Sequence, residues 1–192
     1  MIDLTSTPII ILAILGGVGV ALPVINVALK ERGSMISYGI VTLIALFAAI
    51  GYVFYQLALD HVAPAAIFSQ DVLVDDAFGS LFAIAMLIVA IFTTVGSFSY
   101  MKNKANPSIY FSLILLSAIG MVLVAYSTDL VMLFVAWELM SIPTYILVGF
   151  LKKDPISNEA AIKYFLFGAL SSAIIIYGIS LAYGVTGSTN IG

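Results

Sequence analysis

One carboxylate, Glu138, stands near the middle of the apolar run LVMLFVAWELMSIPTYILVGF over 130–150. At that depth in a bilayer an ionised carboxylate costs at least about 2.5–3.5 kcal/mol, and more on an isolated helix. A chain retains such a group only where a protein partner, water or a proton sits beside it. Ser141 and Tyr145 follow at one and two turns along the same helical face, a polar stripe running from Glu138 toward one end. Pro143 lacks an N–H, so the carbonyl of Leu139 loses its helical partner and can bind water or bend the helix. Together these residues suit a water-lined path that ends on a titratable group, and so charge movement through a membrane. The plainer reading is a carboxylate neutralised by burial that hydrogen-bonds a neighbouring helix and fixes packing. The functional reading is preferred because ionisable groups inside a membrane are functional by default.

The remaining candidates each carry two readings. Lys163 lies about one turn inside the sixth apolar segment, where its ammonium could reach into the bundle and relay protons. It could equally snorkel outward, or pair with Glu159 in the favourable Glu-then-Lys order. His61, the single histidine, sits beside Asp60 at the end of the second segment; it reads as a surface residue, although its titration range allows a shuttle. Asn26 reads as packing or interfacial. Trp137 lies too deep for an interfacial anchor and is expected to pack between helices. No phosphate-binding glycine loop, dinucleotide fingerprint, histidine pair or nucleophile motif is present, and there is no cysteine. No metal site and no redox cofactor can be argued for this chain. Any electron chemistry falls to a partner.

Composition sets the class of element that positions these residues. The chain is 62% hydrophobic and 9% charged, against about 25% charged in soluble domains. It is therefore expected to be an all-α integral membrane protein, since lipid cannot satisfy the open backbone groups of irregular structure. Six segments are long enough to span, at Pro8–Ala28, Met35–Leu59, Ala77–Tyr100, Ser108–Tyr126, Leu130–Phe150 and Ala160–Tyr183, forming a single membrane domain over residues 1–192. Ser6-Thr7-Pro8 and Asn106-Pro107 read as helix caps before first-turn prolines. Gly16, Gly17 and Gly19 suggest close helix packing in the first span.

The charges between the spans orient them. All 7 basic residues fall on one side: Lys30, Arg32, Lys102, Lys104, Lys152, Lys153 and, just inside the sixth span, Lys163. The opposite loops hold Asp60, Asp71, Asp75, Asp76 and Asp129 without a Lys or Arg. By the positive-inside rule the basic loops face the cytoplasm of a cell membrane and both ends of this segment lie outside. Between the second and third spans, IFSQDVLVD bunches β-branched residues around Gln70-Asp71, which predicts a short β-hairpin on the outer surface. An isolated hairpin is barely stable, so it is expected to pair with or pack on something else.

The run from STDLVMLFVAWELMSIPTYILVGF through EAAIKYFLFGALSS to YGVTGSTNI resembles the antiporter-like membrane subunits of respiratory complex I. WELMSIPTY, EAAIKYFLFGALSS and the YGxTGS pattern are similar to the N type and its archaeal F(420)H(2) dehydrogenase relatives. The M and L types and cation/proton antiporters share the Trp-Glu pair but not EAAIKYF in this form. LVDDAFGSLF resembles the family's hairpin leading into the third helix, and the likeness covers the whole chain, weakest in the first two spans.

That resemblance implies a cofactor-free bundle in which protons cross by way of charged residues at mid-membrane. Partner subunits would carry NADH or reduced deazaflavin F(420)H(2), flavin, Fe-S clusters and a quinone-like carrier. Glu138 would pair with a lysine on a seventh helix and tune its proton affinity, and Lys163 would belong to the proton path. Family members have about fourteen helices built on inverted repeats. This sequence stops at Gly192, before the seventh-helix lysine, the central eighth-helix lysine and the second repeat. It is expected to be the N-terminal part of that fold, either a fragment or a subunit completed by another polypeptide. Two other functions stand beside this one: a stand-alone cation/proton antiporter, and a structural membrane subunit without a proton path.

Overall fold

The computed structural model describes residues 6–28, 33–58, 65–66 and 72–191. They form α1 (Thr7–Ala28), α2 (Met35–Ala58), α3 (Ala77–Tyr100), α4 (Pro107–Tyr126), α5 (Leu130–Val148) and α6 (Pro155–Thr186). Each of these 6 helices is long and apolar enough to cross a membrane. The chain is a multi-pass, all-helical membrane protein.

The helices start where side chains can satisfy their orphan N–H groups. Asp76 caps α3 by accepting from Gly79 N at 2.7 Å. Asp129 accepts from Val131 N and Met132 N, both at 2.9 Å, at the head of α5. At α6, Asp154 accepts from Ile156 N, with Pro155 at the first helical position. This Asp-Pro cap starts α6 five residues before the expected Ala160, and Gly187 ends it in the left-handed conformation at φ 68°. Two expected caps differ. Asn106 precedes α4 in a left-handed conformation and makes no side-chain cap bond. The Ser6 hydroxyl is buried without a partner. The first N–H of α1 is instead satisfied from a distant loop, by Asp75 Oδ2 at 2.6 Å from Thr7 N.

α4 is the centre of the bundle. It is apolar on every side, is buried along most of its length, and packs against α1, α2, α3 and α5. Ser112 Oγ donates to the Gly19 carbonyl of α1 at 2.5 Å, and Ser80 and Tyr126 join α3 to α4 through their hydroxyls at 3.1 Å. The close packing expected at Gly16, Gly17 and Gly19 is not found: Gly16 and Gly19 lie against α4 at ordinary contact distance, and Gly17 faces open space. The tight crossing is elsewhere, at Gly120, where a Cβ would stand 2.6 Å from Met140 Cα and 2.8 Å from the Leu139 carbonyl carbon of α5. Asn26 is a packing residue, accepting from Tyr38 Oη at 2.6 Å.

At the end of the bundle where α1, α3 and α5 begin, short extended segments tie the loops. β1 (Ala65–Ala66) pairs antiparallel with β2 (Val74–Asp75). The expected turn at Gln70-Asp71 lies outside the described residues, as do His61, Asp60, Lys30 and Arg32. Leu73 bridges to Ser127, Thr128 N donates to Val72 O, and Asp129 bridges to Asn190. The 127–130 link is therefore held on one side by the α2–α3 loop and on the other by the segment after α6.

Candidate functional site

α5 and α6 meet along a seam of mostly small side chains. Ala161, Gly168, Ser172, Ile175, Ile179 and Ala182 recur on the one stripe of α6 that is partly covered, and no residue of α6 is fully buried. The three- and four-residue spacing keeps these positions on one face. Two groups of α5 use the gaps that small residues leave. The hydroxyl end of Tyr145 lies against Gly168, where any Cβ would overlap its ring and hydroxyl. Its ring is boxed edge-on by Tyr164 at 5.1 Å and Phe165 at 5.8 Å between centroids. Two turns away along α5, half-buried Glu138 accepts a hydrogen bond at Oε1 from Ser172 Oγ.

Glu138 is the ninth of the 19 residues of α5, and so sits at the depth where a bilayer is driest. Among the described residues no Lys or Arg is paired with it. Ser141, expected to continue its stripe, is buried and donates back to the Trp137 carbonyl at 2.8 Å. Pro143 is buried as well. Around it α5 is supported by neighbouring hydroxyls: Ser117 of α4 donates to Met140 O at 3.1 Å, and Thr144 to Ser141 O at 2.7 Å. Trp137 does not pack between the described helices; it is 41% exposed on the outward side of α5.

Lys163 stands apart from this site. Its ammonium pairs with Glu159 at 2.5 Å, and both side chains are about two-thirds exposed (66% and 65%). Nine residues separate Lys163 from Ser172, a rise of about 13.5 Å and a rotation of about 180°. Lys163 therefore projects from the face of α6 opposite the seam. The length of α6 explains its surroundings: 32 residues make about 48 Å of helix against about 30 Å of hydrocarbon. If the helix is centred, about 9 Å, or about six residues, extends beyond the hydrocarbon at each end, which puts Glu159 outside it and the Lys163 backbone about 3 Å inside its edge.

The residue missing from the sequence reading is Ser172. Its spacing to Glu138, 34 positions, carries no local signal, and serines on apolar helices usually bond their own backbone. The one clue is the small-residue stripe at 161, 168 and 172, which marks a helix contact but not its partner. Asp75, which caps α1 from the α2–α3 loop, was equally hidden. Among the described residues no cluster of three or more His, Asp or Glu side chains could hold a metal ion.

Residues 127–192 match the family model described as NADH:quinone oxidoreductase/Mrp antiporter, TM. NADH-quinone oxidoreductase subunit N of Desulfitobacterium hafniense is 39% identical over 99% of this chain and 37% of its own length. F(420)H(2) dehydrogenase subunit N of Methanosarcina mazei is 38% identical over 65% of this chain and 25% of its own. The chain thus spans well under half the length of these relatives. A chain of respiratory complex I from Thermus thermophilus superposes with a TM-score of 0.75 at 30% identity, covering 95% of this chain and 38% of that one. The archaeal membrane-bound sulfane sulfur reductase gives the same TM-score at 24% identity, which shows a shared fold. By sequence and by fold, the chain is similar to the antiporter-like membrane subunits of NADH:quinone oxidoreductases and Mrp antiporters.

Proposed function

We propose that this chain serves in a proton-translocating, antiporter-like subunit of a complex I-type oxidoreductase, with Glu138 as its mid-membrane proton-carrying group. The observation that carries the reading is a half-buried carboxylate at the middle of a membrane-spanning helix, hydrogen-bonded across a helix seam and unpaired with any described cation. Membrane burial is a large cost for a carboxylate whose only task is packing, since a neutral Gln or Ser would accept the same contact. The similarity to N subunits supports the same reading.

The physical mechanism follows from the environment of Glu138. A nearby cation favours the ionised carboxylate, and its withdrawal in a dry seam favours the neutral acid. A moving cationic partner therefore loads and unloads a proton. Ser141, Pro143 and Tyr145 lie along α5 on the side of the basic loops, where a path from the cytoplasm would approach Glu138. Lys163 would join that path through helices packed on the far face of α6. Electron transfer, from NADH or reduced deazaflavin through flavin and Fe-S clusters to a quinone-like carrier, would take place in partner subunits. The loops with Lys102, Lys104, Lys152 and Lys153 would face the cytoplasm, and those with Asp75, Asp76 and Asp129 the outside.

Glu138→Gln in the assembled complex tests this reading. Expected is a fall in protons pumped per electron with assembly intact. Normal pumping at a normal electron-transfer rate would sink the proposal. The Mrp half of the family description supports a second reading, cation/proton exchange, which predicts a sodium- or potassium-driven pH change in liposomes that Glu138→Gln abolishes.

A further inference from the structure

We propose that Ser172 is a positioning residue for Glu138: its hydroxyl holds the carboxylate on α6 in both protonation states. This inference rests on reading Glu138 as a proton carrier. Hydroxyls on the described helices mostly satisfy themselves locally. Thr42, Thr94, Ser141 and Thr186 each donate to the carbonyl four residues earlier, and so does Ser171, the immediate neighbour of Ser172. Ser172 instead gives its hydrogen to a carboxylate 34 residues away. The stripe explains how it reaches. Gly168, one turn before Ser172, lets Tyr145 lie against α6, which draws the two helices together beside Glu138.

A hydroxyl suits the task better than a charged group. It has one donor hydrogen and two acceptor lone pairs, so it donates to an ionised Glu138 and can accept from a protonated one. A lysine at the same position would favour the ionised form alone, and an alanine would leave a mid-membrane oxygen without its partner. No described cation competes for Glu138, and Lys163 projects from the opposite face of α6. The hydroxyl thus keeps the carboxylate in place on the seam while its proton comes and goes, without fixing which state it holds.

The test uses the intact complex purified from native membranes, with infrared difference spectra and proton-to-electron ratios on the same preparations. The Glu138 bands are those lost in Glu138→Gln. Ser172→Ala is expected to shift the Glu138 carboxylate stretch and to lower pumping-linked turnover roughly tenfold, the worth of one hydrogen bond to a charged group. Ser172→Thr, which keeps the hydroxyl, should restore both. If Ser172→Ala fails to assemble, Ser172→Cys replaces it, a thiol of similar size and weaker donor strength that should shift the band in the same direction. An unmoved band and ratio in the alanine or cysteine variant would overturn the proposal. Should Glu138→Gln pump normally, the proton-carrier reading fails by itself. Should Glu138→Gln stop pumping while Ser172→Ala changes nothing, the positioning role alone fails.

Discussion

Asp129 shows how a single residue ties a loop to a helix, and it makes a pH prediction. Burial acts to raise its pKa, but the hydrogen bonds from the Thr189 hydroxyl and the Met132 and Val131 N–H groups outweigh it and hold the carboxyl below its usual range. A depressed folded-state value means that its stabilisation is complete above the unfolded pKa, near 3.8, and is lost as pH falls through the lower, folded one. Protection from amide exchange at Leu130 and Ile191, whose N–H groups bond Thr189 O and Thr128 O, is expected to fall below about pH 4 in the wild type and to be reduced already at neutral pH in Asp129→Ala, which lacks both the carboxylate and the helix cap. Wild-type protection that persists well below that pH, or protection unchanged at neutral pH in the variant, would contradict the clamp. Lys163 poses a separate question at this scale. An exposed i,i+4 pair contributes only about 0.3–0.5 kcal/mol, so Lys163→Gln should leave the melting temperature of the complex within error. A loss of pumping in that variant would then report on the proton path and not on folding.

Among the elements, the α4–α5 crossing is the contact with least tolerance. Gly120 lets the α5 backbone come within a distance that excludes any side chain, and Ser117 bonds Met140 O beside it. Gly120→Ala must push the helices apart, and overpacking of this kind costs about 1–3 kcal/mol. The midpoint of thermal unfolding in detergent should fall accordingly, and an unchanged midpoint would mean that the crossing accommodates a methyl group. The same element scale separates what was legible from what was not. The ends of α3, at Ala77 and Tyr100, could be read from the residues because Asp76 offers a local cap and the apolar run is sharply bounded. The head of α6 was also written locally, in Asp154-Pro155, but the polar first turns ISNEAAIK masked it, since a helix longer than the bilayer need not be apolar along its whole length. The starts of α1 and α4 could be read, at Ser6 and Asn106 before Pro8 and Pro107, but the bonds made there could not. Whether Ser6 or Asp75 reaches Thr7 N depends on a loop 68 residues away.

Across the whole molecule, the alternation of loop charge makes a topological prediction. The chain has no cysteine, so single probes are clean. Asn103→Cys, between Lys102 and Lys104, should react with a membrane-impermeant thiol reagent only in inside-out vesicles, and Ser188→Cys, past the far end of α6, only in right-side-out ones. Labelling of both from one side would break the six-span arrangement. What the residues determined alone were properties that accumulate along a single segment: apolar length, the sidedness of charge, and one carboxylate at the middle of a span. What only the tertiary structure decided was which faces meet. α4, α5 and α6 are apolar on nearly every side, so no amphipathic stripe says which neighbour each will face. That choice rests on backbone approach at Gly120 and Gly168 and on hydroxyls that reach across, and it is what set Ser172 against Glu138 and turned Lys163 to the other side.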